Sequence, residues 1–154
     1  VIVDHYLFFS ISGMNLCVPL TQIVAIVSVG DTLLDMDLGF ELPPICRGFV
    51  RHRRQQIPLL DLRPKFGFAH EDMPEGAIAL LIDFGVTYLG LMVDFVFSLE
   101  QGTGAHILPL PANITELGND FLKGYLEYPR GGAFLLDALS LFSDTDIEEL
   151  SAVI

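Results

Sequence analysis

An internal repeat constrains this chain more than any other feature of its sequence. Gly48-Phe49-Val50-Arg51-His52 is matched by Gly124-Tyr125-Leu126-Glu127-Tyr128. Leu59-Leu60-Asp61 follows the first copy at the spacing at which Leu135-Leu136-Asp137 follows the second. Arg54 falls opposite Arg130 in the same register, and Leu62–Phe66 runs parallel to Ala138–Phe142. The opening hairpins correspond more loosely, Ser12-Gly13 with Phe84-Gly85. A chain of 154 residues built this way reads as two copies of one small unit: hairpin, crossover, strand pair and short helical turn.

The units are made of strands. His5–Ile11 and Met14–Leu20 are apolar runs separated by Ser12-Gly13, a hairpin signal. Gly48–His52 with Ile57–Leu60, and Ala77–Ile82 with Thr87–Val93, form further pairs, and Phe95–Leu99, Leu122–Tyr128 and Ala133–Leu136 complete the set. Asp31–Pro44 reads as an irregular acidic loop. Strands this short with glycine punctuation point to small barrels rather than a parallel α/β sheet. In each Leu-Leu-Asp, two leucines end a buried strand and the carboxylate is placed to accept from the free N–H groups of the next turn. Asp61 and Asp137 are therefore expected to be structural caps. The tail differs: Ser143-Asp144-Thr145-Asp146 ahead of Ile147–Val153 predicts a helix over 143–153, its early acids suiting the positive end of the dipole.

Half the residues are apolar, enough for a core and too many for a disordered chain. The greasiest runs stop at Asp83 and Asp94, well short of the roughly 18 apolar residues a spanning helix needs. Val1–His5 shows neither a basic region nor a small-residue cleavage site, so no secretion signal is read there. Cys17 and Cys46 sit among apolar neighbours and read as two reduced, buried thiols of a cytoplasmic protein. A net charge of −12 argues against general nucleic-acid binding. Of the eight basic residues, however, Arg47, Arg51, Arg53, Arg54, Arg63 and Lys65 fall together, with only Asp61 opposing them. Such a basic ridge, with Arg47, Arg51, Arg54 and Arg63 as its candidates, suggests a docking surface.

No reaction centre emerges. His5, His52, His70 and His106 are scattered, and none has a partner at metal-ligand spacing. Asp35-Met36-Asp37 lacks the glycine and terminal Glu of a calcium loop. Gly102-Thr103-Gly104 has no following Lys and reads as a turn, and no nucleophile elbow or dinucleotide fingerprint is present. Asp83 and Asp94 could be imagined as paired acids, but both fall at strand ends, where Asp bonds local backbone.

The segment Gly48–Arg63 resembles the CheW signature G-V-x-N-L-R-G-x-x-x-P-V-x-D-L-R at Gly48, Arg53, Pro58, Asp61, Leu62 and Arg63. Gly90-Leu91-Met92-Val93-Asp94-Phe95-Val96 is similar to that family's G-x-x-V-D-x-V, and Ile107–Pro111 to its I-x-P-x-P. Leu122-Lys123-Gly124 and Phe134–Asp137 resemble its closing strands, so the likeness covers nearly the whole chain. It implies a mainly all-β fold of two five-stranded SH3-like barrels side by side, with short helical turns and a C-terminal helix. As halves these are expected at about 5–70 and 76–142. It further implies an adaptor without catalytic residues, metal or cofactor. Such an adaptor links the cytoplasmic tip of a chemoreceptor to the regulatory domain of a CheA-type histidine kinase, in the cytoplasm beside membrane receptor arrays. Carried over by position, the receptor groove is lined by Ile23, Arg53, Ile78 and Leu99.

This chain departs from the pattern at three places. Arg51 stands for the family's Asn, Arg54 for its turn Gly, and Ala25 for a frequent Glu. Losing a glycine that adopts positive φ cheaply predicts a longer or differently shaped turn over Arg53–Gln56. The more basic groove side fits a divergent, non-motility signalling system as well as chemotaxis. A nucleic-acid-binding barrel using Arg47–Lys65 is the remaining alternative. It has only Phe49 and Phe66 to offer as stacking platforms.

Overall fold

The computed structural model describes residues 4–34, 42–69, 71–102, 107–110, 121–128 and 131–152. Asp35, Asp37, His70, Thr103, Gly104, His106 and Arg130 lie outside them. The first half contributes β1 (Asp4–Ile11), β2 (Met14–Pro19), β3 (Ile23–Ser28), the single turn α1 (Val29–Thr32), β4 (Leu33–Leu34), β5 (Cys46–His52) and β6 (Gln55–Asp61). The second contributes β7 (Ile78–Asp83), β8 (Tyr88–Val93), β9 (Phe95–Gly102), β10 (Ile107–Leu108), β11 (Leu122–Tyr128), β12 (Gly131–Leu136) and α2 (Asp144–Ser151). Three 3-10 turns, Leu20–Gln22, Arg63–Phe66 and Ala138–Ser140, join them.

The strands form two six-stranded sheets, ordered β3-β7-β8-β6-β5-β4 and β9-β1-β2-β12-β11-β10. The two orders repeat the same strand roles with the hairpins exchanged. Each sheet takes four strands from one half and its β1–β2 or β7–β8 hairpin from the other. The sheets therefore do not coincide with the halves 5–70 and 76–142. Each has six strands where five are expected, the sixth being the two-residue edge strand β4 or β10. The repeat survives in atomic detail. A bulge falls between Cys46 and Gly48 in one copy and between Leu122 and Gly124 in the other. Asp61 N–H donates to the Ile45 carbonyl at 2.8 Å, and Asp137 N–H to that of Phe121 at 2.8 Å.

Exchange explains why the central strands are apolar on both faces, since period-2 alternation sorts their side chains between two cores. Leu7, Phe9 and Ile11 of β1, with Leu80 and Ile82 of β7 and Leu89, Leu91 and Val93 of β8, enter one large core shared by both sheets. The alternate residues fill two smaller cores: Ala79, Leu81 and Met92 with Ile57 and Leu59, and Tyr6, Phe8 and Cys17 with Leu126 and Leu135. Strand β3 has no turn signals of its own, and as an edge strand it alternates half-buried and exposed positions.

Among the described residues, two hairpins turn over two residues, both with positive φ: Ser12-Gly13 (50° and 79°) and Arg53-Arg54 (47° and 68°). The turn over Arg53–Gln56, expected to be longer or differently shaped, is not longer: it is a tight two-residue turn with His52 paired to Gln55. Its left-handed geometry matches the twist of the flanking strands, and that match outweighs the side-chain penalty. Helix α2 begins with a reciprocal cap in which Ser143 Oγ accepts from Asp146 N–H and Asp146 Oδ2 from Ser143 N–H, both at 3.1 Å. Ile147 and Leu150 anchor the helix in the shared core. No helix among the described residues is long and apolar enough to cross a membrane.

Candidate functional site

Side chains paired across an antiparallel ladder emerge on the same face. Ile23 pairs with Ile82 and Ile78 with Ser28, so the two lie at opposite ends of the β3–β7 ladder, each half-buried against the shared core. Leu99 on β9 pairs with Leu7, a residue of that same core, yet it is 53% exposed. These three carry-over candidates therefore all point to the inter-sheet side, with Leu99 at its open rim. Ile26, which sequence reasoning missed, belongs with them: it pairs with Leu80 and is 45% exposed. Nothing in the run Ile23–Ser28 announces which of its apolar residues meets solvent; only its edge position decides. Arg53 sits elsewhere, at the β5–β6 tip, separated from β3 by β7 and β8.

The basic cluster divides in two. Arg63 is not on a surface ridge: it is 2% exposed and lies in a charged network between the sheets. Its guanidinium donates to Asp61 Oδ1 at 3.2 Å, to Asp94 Oδ1 and to Ser12 Oγ at 3.0 Å. Asp94 also accepts from the Ser12 N–H at 2.7 Å. Arg47 donates to Asp61 Oδ2 at 3.0 Å and to the Glu71 carbonyl. Lys65 lies over the rings of Phe142 and Phe121. The physical reason is Asp61, which is fully buried and whose charge requires partners in a low-dielectric interior. Arg51, Arg53 and Arg54 remain exposed at the β5–β6 tip, without an ion pair among the described residues.

The repeated aspartates differ in their bonds. Asp61 Oδ1 accepts from the Arg63 N–H at 3.0 Å, an Asp bond to the turn that follows it. Asp137 makes no side-chain bond to the N–H groups of its turn. There Gln22 intervenes: its Oε1 accepts from Ala138 N–H at 2.9 Å and its Nε2 donates to Asp137 Oδ1 at 3.1 Å, while Ser140 Oγ donates to Oδ2. Of the imagined acid pair, Asp83 accepts from Gly85 N–H in its own hairpin and Asp94 serves Arg63, so both are spent on structure. Among the described residues no group of three His, Cys, Asp or Glu could hold a metal. Cys17 and Cys46 are buried and form no disulfide, and burial raises both thiols above their ordinary value.

The CheW-like domain profile matches residues 5–146. "Chemotaxis protein CheW" of Klebsiella aerogenes is 26% identical over 105 residues, covering 68% of this chain and 63% of that protein. The matched stretch thus spans less than two thirds of that relative's length. "Probable chemotaxis protein CheW" of Rhizobium etli is 26% identical over 106 residues, covering 69% and 68%. In fold, the chain is similar to the scaffolding protein TtCheW from Thermoanaerobacter tengcongensis, with a TM-score of 0.73 at 18% identity over 88% of this chain and 90% of that one.

Proposed function

This chain belongs to the CheW-like domain family, and on that premise we propose that it is a non-catalytic adaptor coupling chemoreceptors to a CheA-type histidine kinase. The observation that carries the reading is the apolar side chains left open to solvent on the inter-sheet side, Leu99 on β9 and Ile26 on β3, with Ile23 and Ile78 half-buried against the shared core. A docking helix that covers such side chains gains about 25 cal/mol per Å² of apolar area removed from water. The acids best placed for chemistry are engaged by a guanidinium or by backbone N–H groups, which leaves recognition as the work of the surface. The site of action is the cytoplasm, beside receptor arrays.

For receptor state to alter kinase activity, the contacts with each partner must differ between states; tethering alone transmits nothing. Ala25, Arg51 and Arg54, the departures from the family pattern, favour a second reading in which the same architecture serves a divergent, non-motility receptor system. The test is a pull-down at micromolar concentration with the kinase regulatory domain and the receptor's cytoplasmic hairpin from the same genome. Retention of both is expected. Retention of neither overturns the adaptor reading.

A further inference from the structure

We propose that the open end of the small core around Phe8, between β9, the β1–β2 hairpin and the start of β12, is a binding site for a small quaternary ammonium head group. A recessed cleft of about 130 Å³ lies there, lined by Phe8, Asn15, Phe97, Ser98, Glu100 and the backbone of Gly131 and Gly132. A cavity of roughly 150 Å³ admits one benzene ring, so the cleft takes one compact group and not a nucleotide. The rings of Phe8 and Phe97 meet edge to face, with centroids 6.0 Å apart and planes at 77°, and form a corner. Phe97 is 43% exposed, which leaves its ring open to a ligand. Ser98 pairs with Phe8 and Glu100 with Tyr6, so the Glu100 side chain emerges on the same face as Phe8. Glu100 has no ion pair among the described residues.

Every side chain of the lining can receive a cation: two rings, a carboxylate, an amide oxygen and a hydroxyl oxygen, with no basic side chain among the described residues of the wall. The net charge of −12 adds attraction from a distance. Alternation places Ser10 on Phe8's face of β1; it is 2% exposed, and its Oγ has no hydrogen-bond partner among the described residues. Folding does not require this set, as the other copy of the repeat shows. Phe97 is the extra residue of a bulge in β9, and Val24 is the extra residue of the matching bulge in β3. In the same register Val27 stands where β9 has Glu100, and Gln55-Gln56 stand where Gly131-Gly132 leave the wall bare. A primary ammonium fits less well, because it is strongly hydrated and ring faces do not replace its water. A methylated head is held by ring faces and one opposite charge.

The experiment follows amide resonances of the wild-type chain during titration with choline, with its uncharged isostere 3,3-dimethylbutan-1-ol, and with Nα-acetyl-lysine methylamide. Two variants are titrated beside it: Glu100→Gln, which keeps the shape and removes the charge, and Phe97→Val, which restores the residue type that β3 carries in its own bulge. Each variant's fold is checked by its thermal transition. Choline is expected to move resonances at 8, 15, 97–100 and 131–132 and to saturate. The isostere and the lysine amide are expected to bind about fivefold more weakly or worse, and each variant to lose about fivefold in choline affinity. Four results overturn the proposal: no saturable shift up to about 10 mM choline, an isostere that binds as tightly as choline, a lysine amide that binds more tightly, or unchanged choline affinity in both folded variants. None of these readings uses the receptor or the kinase, so the outcome is separate from that of the adaptor reading.

Discussion

Asp61 and Asp137 occupy equivalent places in the two copies and hold their backbones with the same 2.8 Å bond, yet their carboxylates have different partners. Asp61 holds two guanidiniums, from Arg47 and Arg63. Asp137 is served by uncharged groups, Gln22 and Ser140. The duplicated scaffold thus has one charged joint and one neutral joint between its sheets.

Replacing Arg63 with Met takes one of two guanidiniums away from the fully buried Asp61, whose charge Arg47 and a backbone N–H continue to offset. A loss of about 3 kcal/mol in urea unfolding is expected. Asp94→Asn keeps a hydrogen-bonding group at a partly exposed position and costs about 1 kcal/mol. The two changes together cost less than their sum, because they break the same bond.

Gly48 and Gly124 are equivalent glycines required for different reasons. A Cβ on Gly124 would stand 2.6 Å from Ile107 Cγ2 and 2.8 Å from the Leu108 carbonyl oxygen, which is backbone and cannot retreat. A Cβ on Gly48 meets nothing closer than 3.8 Å, but its φ is +140°. Gly124→Ala is expected to cost about 2–3 kcal/mol and to raise hydrogen exchange along β10. Gly48→Ala costs about 1 kcal/mol and leaves the β10–β11 pair unchanged.

Arg54→Gly removes a side chain from a left-handed position. The relief of roughly 1–2 kcal/mol is partly offset by the greater freedom of glycine in the unfolded chain. A net gain of about 0.5–1 kcal/mol is expected, read as a higher denaturant midpoint with an unchanged slope. A destabilised variant would mean that the Arg54 side chain holds the turn.

Burial pushes the Cys17 thiol from 9.0 up to about 12. The folded state keeps this proton at pH values where the unfolded chain releases it. The resulting stabilisation is complete below pH 9 and is lost between about pH 9 and 12, at about 1.4 kcal/mol per pH unit. Cys17→Ala is expected to be less stable at neutral pH but to show a shallower decline above pH 9. Parallel stability curves for the two proteins would refute this.

Leu99 and Ile26 test the rim separately from the core. Leu99→Ala and Ile26→Ala remove half-exposed side chains, so stability is expected to change by no more than about 0.5 kcal/mol, while affinity for the receptor hairpin falls by about tenfold. Ile78→Ala, half-buried against the shared core, costs about 1–2 kcal/mol by calorimetry. Rim variants that bind as tightly as the wild type would remove the rim from the receptor surface.

The sequence by itself determined the duplication, the hairpin turns at Ser12-Gly13 and Asp83–Gly85, and the capped helix beginning at Ser143. These are local matters: turn residues set φ, alternation sets which side chains share a face, and a cap needs only neighbours three residues away. Tertiary structure alone decided that each hairpin joins the other half's sheet, that Arg63 is buried while Arg54 is exposed, and that Ile26 meets solvent. Apolar burial is non-directional, so an apolar strand is satisfied by either sheet and its composition does not select between them. Arg63 carries the same difficulty: its partner Asp94 is 31 residues away, and only the packing of the two sheets brings the pair together.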